Sequence, residues 1–65
     1  MSKLTREEII STVKESAEDW QGVVYALEDG AYLKSIGVTD DDQSAVEDAH
    51  DLATKMTATH PEYKF

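Results

Sequence analysis

The chain has 65 residues, no cysteine, and fourteen acidic against six basic side chains, which give a formal net charge of −8. A chain of this length forms one small domain, and without cysteine it has neither a disulfide framework nor a thiolate zinc site to stabilise it. The charge works against contact with nucleic-acid phosphates or anionic membranes, and it steers the protein toward basic partners.

The first predicted helix begins at a capping box. Thr5 and Glu8 have the spacing at which each side chain accepts a hydrogen bond from the other residue's backbone amide. Apolar residues then recur at intervals of three and four, which is the period of one helix face. They are Ile9, Ile10, Val13, Ala17 and Trp20. A glycine in a helix interior costs about 1 kcal/mol, so we expect a break or bend near Gly22.

The segment 22–38 is compatible with two folds. In the first, most of the segment is helical and the chain is a mainly α, small three-helix domain. In the second, residues 23–27 and 31–36 are strands joined at Asp29-Gly30, a strong hairpin signal, and the chain is an α+β domain of the helix–β-hairpin–helix type. Alanine, leucine, glutamate and lysine in this segment are good helix formers, so the helical alternative is preferred.

A glycine turn separates this segment from the last predicted helix. Gly37, followed by the hydrophobic Val38, has the pattern of a left-handed residue just after a helix end. Thr39 can then cap the next helix. We expect that helix to run from Asp40 to about Met56, with its apolar and acidic residues on opposite faces.

The sequence contains neither an internal repeat nor a linker, so residues 1–65 are predicted to form one small acidic domain. A helix usually ends at or before the residue that precedes a proline, and we therefore expect residues 58–65, which include Pro61, to form an extended tail. The sequence has no stretch of 18 apolar residues and no signal-peptide pattern. These features predict a soluble, cytoplasmic protein that does not enter a membrane.

The acidic residues of the last helix are the main functional candidates. Residues 15–51 include eleven acidic side chains and one basic side chain, Lys34. A solvated helix face is the ordinary interpretation of such a charge run, but the interleaved lysines that would pair with it at i,i+4 are nearly absent. Exposed tyrosines beside carboxylates are typical of an interface. The predicted partner-binding residues are Asp40, Asp41, Asp42, Glu47, Asp48, Asp51, Tyr25 and Tyr32.

Other binding and catalytic chemistries find little support. The turn at Gly37 and the cap at Thr39 have the layout of a helix-turn-helix, but an acidic second helix would repel DNA. Glu47 and His50 have the Glu-x-x-His spacing of di-iron proteins, yet those sites need two such pairs and further glutamates. The chain has no glycine-rich phosphate loop and no nucleophile elbow. We therefore expect no direct nucleic-acid contact, no enzymatic activity, no cofactor and no metal.

The pattern favours a small acidic module that binds a basic surface of another protein. In the stronger form of this hypothesis the module is an inhibitor that mimics nucleic acid and occupies the nucleic-acid-binding surface of its partner. The alternative is a self-associating structural or accessory protein, in which a helical homodimer supplies the core that a small monomer lacks. In that alternative the acidity serves only solubility.

Overall fold

The computed structural model describes residues 3–60, 62 and 64–65, and within them the chain is mainly helical with no strand. Helix α1 spans Arg6–Lys14, α2 spans Trp20–Glu28, α3 spans Gly30–Ser35, and α4 spans Gln43–Thr59. A 3₁₀ turn at Asp40–Asp42 leads directly into α4. The prediction of a mainly α domain is confirmed, and the hairpin alternative for residues 22–38 is wrong.

The start of α1 is the predicted capping box. The Thr5 hydroxyl accepts from the Glu8 backbone amide at 3.1 Å, and the Glu8 carboxylate accepts from the Thr5 backbone amide at 3.0 Å. These bonds satisfy two of the backbone donors that a helix start leaves without an intrahelical partner. The capping box is thus confirmed, and it fixes the point at which α1 presents Ile9, Ile10 and Val13 to the core.

The end of α1 differs from the prediction. The helix stops at Lys14, and Trp20 begins a new helix whose N-cap is Asp19, in an extended conformation. The Asp19 carboxylate accepts from the Gly22 amide at 2.9 Å, so Gly22 lies in the first turn of α2 and not at a break. A Cβ on Gly22 would come within 3.3 Å of the Ala17 Cβ, which shows how closely α2 approaches the preceding turn.

The junction after α3 is the predicted left-handed glycine. Gly37 has a φ of 93°, a value that residues with a Cβ rarely adopt. Its amide donates to the Lys34 carbonyl at 3.2 Å, and the Val38 amide donates to the Leu33 carbonyl at 3.0 Å. These two bonds define a Schellman motif. Its hydrophobic partners, Leu33 and Val38, are both buried.

We expect Gly37→Val to lower the free energy of unfolding by about 1–3 kcal/mol, the cost of holding a β-branched residue in a sparsely populated backbone region. A Cβ at position 37 would meet no atom within 4 Å, so backbone strain and not a clash carries the effect. Gly37→Asn is the matched control, because asparagine tolerates this conformation better. Urea denaturation of both variants checks the prediction, and equal midpoints for valine and glycine would contradict it.

The four helices enclose one hydrophobic core, to which α4 contributes by packing chiefly against α2 and also against α1. The buried hydrophobic residues are Ile9, Ile10, Val13, Trp20, Val23, Leu27, Leu33, Val38, Val46, Ala49 and Ala53. On α4 the fully buried positions are alanines, whose small side chains allow close approach to its neighbours. The core thus holds the acidic helix at a fixed position on the domain.

The chain after α4 turns back onto the core. Because α4 continues to Thr59, residues 58 and 59 are helical and not part of the predicted tail. Tyr63 and Pro61 lie outside the described residues. The Phe65 amide donates to the Glu18 carbonyl at 2.8 Å, and its ring meets the Trp20 ring edge-on at 5.2 Å. Phe65 therefore contacts the α1–α2 turn through its backbone amide and the core residue Trp20 through its ring.

Candidate functional site

The exposed side of α4 carries the predicted acidic residues. Glu47, Asp48 and Asp51 are exposed, whereas the buried positions of the same helix are apolar. Their spacings of three and four place them on one helix face, which we call the α4 acidic face. Asp40 and Asp41 are exposed in the 3₁₀ turn at the start of this helix. The periodicity argument therefore places these five carboxylates on the surface, as predicted.

The carboxylates of the α4 acidic face form no ion pair with the described basic side chains. Among the described residues, Arg6 forms an ion pair with Glu7 at 3.2 Å, and His50 forms a hydrogen bond of 3.0 Å with Glu28 that is an ion pair only when the imidazole is protonated. Neither involves the α4 acidic face. Its carboxylates therefore repel one another at short range, and Lys55, four residues after Asp51, is the one lysine of α4 that can offset them.

Asp42 occupies a different environment from the other predicted residues. Its side chain is buried, with 1% of its surface exposed. The carboxylate accepts from the Leu4 amide at 2.7 Å and, through its other oxygen, from the Thr39 amide at 3.0 Å and the Thr39 hydroxyl at 3.3 Å. A carboxylate that is buried and bonded in this way stabilises the fold. We therefore remove Asp42 from the set of partner-contacting residues.

Tyr25 and Tyr32 lie in a groove and not beside the α4 acidic face. The groove has a volume of about 500 Å³ and is formed by the α1–α2 turn, α2 and the first half of α3. The described residues that line it include none from α4. Two of the predicted partner-binding residues, Tyr25 and Tyr32, thus lie in a groove to which the last helix contributes no described residue.

Three carboxylates line the same groove: Glu18, Asp19 and Asp29. The two aspartates are helix caps. Asp19 Oδ1 accepts from the Gly22 amide, and Asp29 Oδ1 accepts from the amides of Ala31 and Tyr32. Each cap uses one carboxylate oxygen for these bonds, which leaves the other oxygen able to accept from a ligand. The helix starts thus fix the positions of two negative charges at the groove.

The two tyrosines of the groove have different hydroxyl environments. Tyr25 is 62% exposed, and its hydroxyl accepts from the Gln21 side-chain amide at 3.1 Å. Tyr32 packs partly against the core, and its hydroxyl oxygen is buried with no hydrogen-bond partner among the described residues. A buried polar group without a partner costs about 1–3 kcal/mol. The Tyr32 hydroxyl is therefore an unusual feature of a groove that otherwise exposes acidic groups.

His50 of α4 contacts Glu28 of α2. Its Nε2 atom lies 3.0 Å from Oε2 of Glu28, which links α4 to α2, while Glu47 is exposed to solvent. No group of three potential ligands occurs in the part of the chain that the structure describes. At the other end of the domain, the pKa of Glu7 is lowered by a backbone hydrogen bond first and by the hydrogen bond and charge of Arg6 second.

No helix among the described residues is both long enough and apolar enough to cross a membrane.

Comparison with other proteins does not assign the chain to a family. No protein-family model matches the sequence, and neither a curated protein nor a solved structure is significantly similar to it. The positions of the charged and aromatic side chains are therefore the observations that bear on function.

Proposed function

We propose that the protein is a small binding module whose α4 acidic face engages a basic surface of another protein. In the stronger form of this proposal it competes with nucleic acid for that surface, because both present a row of negative charges. One observation supports it above the others. Eight acidic residues between positions 15 and 51 are exposed and have no ion-pair partner among the described residues: Glu15, Glu18, Asp29, Asp40, Asp41, Glu47, Asp48 and Asp51.

Physical chemistry explains why such a surface suits a basic partner. Each lysine or arginine of the partner gains an attraction and also relieves repulsion among the carboxylates. The attraction acts before contact and accelerates association, and salt weakens it because the Debye length is about 10 Å at 0.1 M. Charge complementarity of this kind sets partner choice and association rate more than total affinity.

Self-association has less support. Large hydrophobic side chains in the described part of the chain are exposed at two positions, Tyr25 and Phe65. Stable homodimer interfaces are large and more apolar than the rest of a protein surface. Two copies would also bring like charges together. We therefore treat a homodimer as the competing outcome of the experiments below.

The test begins with capture of binding proteins from a lysate at 0.05 M salt, followed by titration of the purified partner. We expect replacement of Glu47, Asp48 and Asp51 by lysine to lower affinity at least tenfold, mainly through slower association, and to reduce its salt dependence. The fold should persist, because surface substitutions usually change stability by less than about 0.5 kcal/mol each. Rates measured at 0.05 and 0.3 M salt check both expectations.

A second triple variant separates location from net charge. Replacement of Glu7, Glu15 and Glu62 by lysine changes the net charge equally but leaves the α4 acidic face intact. We expect this control to keep most of the affinity. Equal losses in the two variants would show that overall charge alone drives binding, and no loss in either would contradict the proposal. A dimer that persists at 0.5 M salt, with no partner captured, would favour self-association.

A further inference from the structure

We propose that the groove between the α1–α2 turn and helices α2 and α3 binds an arginine side chain of a basic segment. This inference deepens the proposed function, because it names the side chain that the basic partner presents and assigns it a second surface. The groove is lined by three carboxylates and two tyrosines: Glu18, Asp19, Asp29, Tyr25 and Tyr32.

The charge of the groove selects a cation. None of the described residues that line it is basic, so its three carboxylates face no positive side chain within the groove. Asp19 and Asp29 are held in place by their bonds to helix-start amides. Carboxylates fixed before binding lose little freedom when a cation arrives, which favours association. A positively charged side chain is therefore the complementary occupant.

The shape of the groove suits a long side chain. Small residues, namely Ala17, Gly22 and Ala26, form part of its lining. A Cβ at Gly22 would come 3.3 Å from the Ala17 Cβ, so any larger residue there would narrow the groove. Lysine and arginine pack their methylene groups on apolar surface while the charged end reaches polar groups. The small residues can contact the methylenes, and the carboxylates can contact the charged end.

Tyrosine chemistry favours arginine over lysine. A guanidinium group stacks on aromatic faces, and the exposed ring of Tyr25 offers such a face. Guanidinium also presents five N–H donors in one plane, whereas an ammonium group presents three around a point. Tyr32 also lines the groove, but its hydroxyl oxygen is buried, so its ring and not its oxygen is the part that a ligand can contact. Arginine thus matches the aromatic lining and the separated carboxylates.

The experiment titrates the isotope-labelled full chain with an eight-residue peptide of alternating glycine and arginine, with both ends blocked. The matched control peptide has citrulline in place of arginine, which keeps the shape and removes the charge. We expect the arginine peptide to shift the backbone amide resonances of Ala17, Gly22, Ala26 and Tyr32. We expect a lysine peptide to bind more weakly and the citrulline peptide to cause no shift. Equal shifts with citrulline would overturn the inference.

Three variants test the individual contacts. Glu18→Gln and Tyr25→Ala should each lower the affinity for the arginine peptide about two- to fivefold, the range for an exposed ion pair and an exposed cation–π contact. Tyr32→Phe is the matched control: it should keep the affinity and leave the melting temperature unchanged or raised, because it removes a buried hydroxyl that has no partner among the described residues. Wild-type affinity in both Glu18→Gln and Tyr25→Ala would contradict the inference.

The triple replacement of Glu47, Asp48 and Asp51 by lysine distinguishes failure of this inference from failure of the proposed function. None of these residues lines the groove, so the pattern of shifted resonances should remain the same in that variant. If the peptide shifts only α4 resonances, the groove inference fails and the proposed function stands. If the groove resonances shift but the α4 variant keeps full affinity for the natural partner, the α4 acidic face is excluded.

Discussion

Replacement of Asp42 by alanine is expected to destabilise the domain by about 3 kcal/mol or more. The buried carboxylate receives three hydrogen bonds from described residues, so its loss leaves the part-buried donors of Leu4 and Thr39 without this acceptor. A domain of this size has a total stability of roughly 3–10 kcal/mol. A loss of about 3 kcal/mol therefore removes about a third of the free energy of unfolding at the upper end of this range and all of it at the lower end.

The reason lies in what Asp42 connects. Leu4 and Asp42 are 38 residues apart in sequence, and their bond of 2.7 Å fixes the segment before α1 against the turn before α4. The other carboxylate oxygen holds Thr39 in the same turn. Hydrogen bonds to an ionised acceptor are roughly twice as strong as neutral ones. One side chain thus fixes two distant parts of the chain together.

Two controls separate this role from simple loss of charge. Asp41→Ala changes the neighbouring exposed carboxylate and should alter stability by less than about 0.5 kcal/mol. Asp42→Asn keeps the shape but places an amide N–H group where one oxygen accepts, so it should also destabilise, by less than alanine does. Urea denaturation followed by the fluorescence of Trp20 measures all three. Equal midpoints for the two alanine variants would refute the structural role.

Local signals made the start of α1 and the glycine junction predictable. The Thr5–Glu8 box and the Gly37 turn depend on residues close in sequence, and each satisfies backbone groups that would otherwise lack a partner. The end of α1 was harder to predict, because Ala17 and Trp20 continue the spacing of the apolar stripe. Asp19 provides the missing signal, since an aspartate before an apolar run is a preferred N-cap.

Tertiary contacts explain which parts of the candidate site could not be predicted. The α4 acidic face follows from helix periodicity alone. The burial of Asp42 does not follow from periodicity, because its partner Leu4 is 38 residues away in the sequence. The groove was not predicted either. Asp29-Gly30 has the sequence of a hairpin turn, whereas in the structure Asp29 caps α3. A groove depends on how the turn after α1 meets α2, and no local spacing encodes that.

The two acidic surfaces make different demands on a partner. The α4 acidic face is open and convex, so it attracts a basic surface at a distance with little requirement for shape. The groove is concave and contains aromatic rings, so it selects a particular side chain at contact. A partner with an arginine beside a wider basic patch would use both surfaces only if it contacts α4 and the α1–α2 turn at the same time. Partner size and the position of its arginines are therefore the properties to compare first.

Replacement of Trp20 by alanine is expected to cost about 3–5 kcal/mol, the usual range for loss of a buried aromatic side chain. Trp20 is 7% exposed and begins α2. The Lys14 ammonium group lies 4.6 Å from its ring centroid, and the Phe65 ring meets it edge-on. With Met56 it also lines a small cavity beside α4. Circular dichroism during urea denaturation measures the loss, because the variant lacks the only tryptophan of the chain.

Phe65→Ala is the matched control for the aromatic contact. Phe65 is 45% exposed; its ring meets Trp20 edge-on, and the Lys14 ammonium lies 4.7 Å from its centroid. The aromatic pair is worth about 0.5–1.5 kcal/mol beyond its buried area, and an exposed cation–π contact about 0.5–1 kcal/mol. Removal of the Phe65 ring should therefore cost much less than removal of Trp20. Similar losses in the two variants would mean that the C-terminal contact, and not the helix packing, accounts for the stability that Trp20 provides.

Because Trp20 directly follows Asp19, a partly folded Trp20→Ala variant should also lose the fixed position of that carboxylate. It should then bind the arginine peptide less tightly than Phe65→Ala does. Equal affinity would show that binding in the groove does not depend on the packing of Trp20.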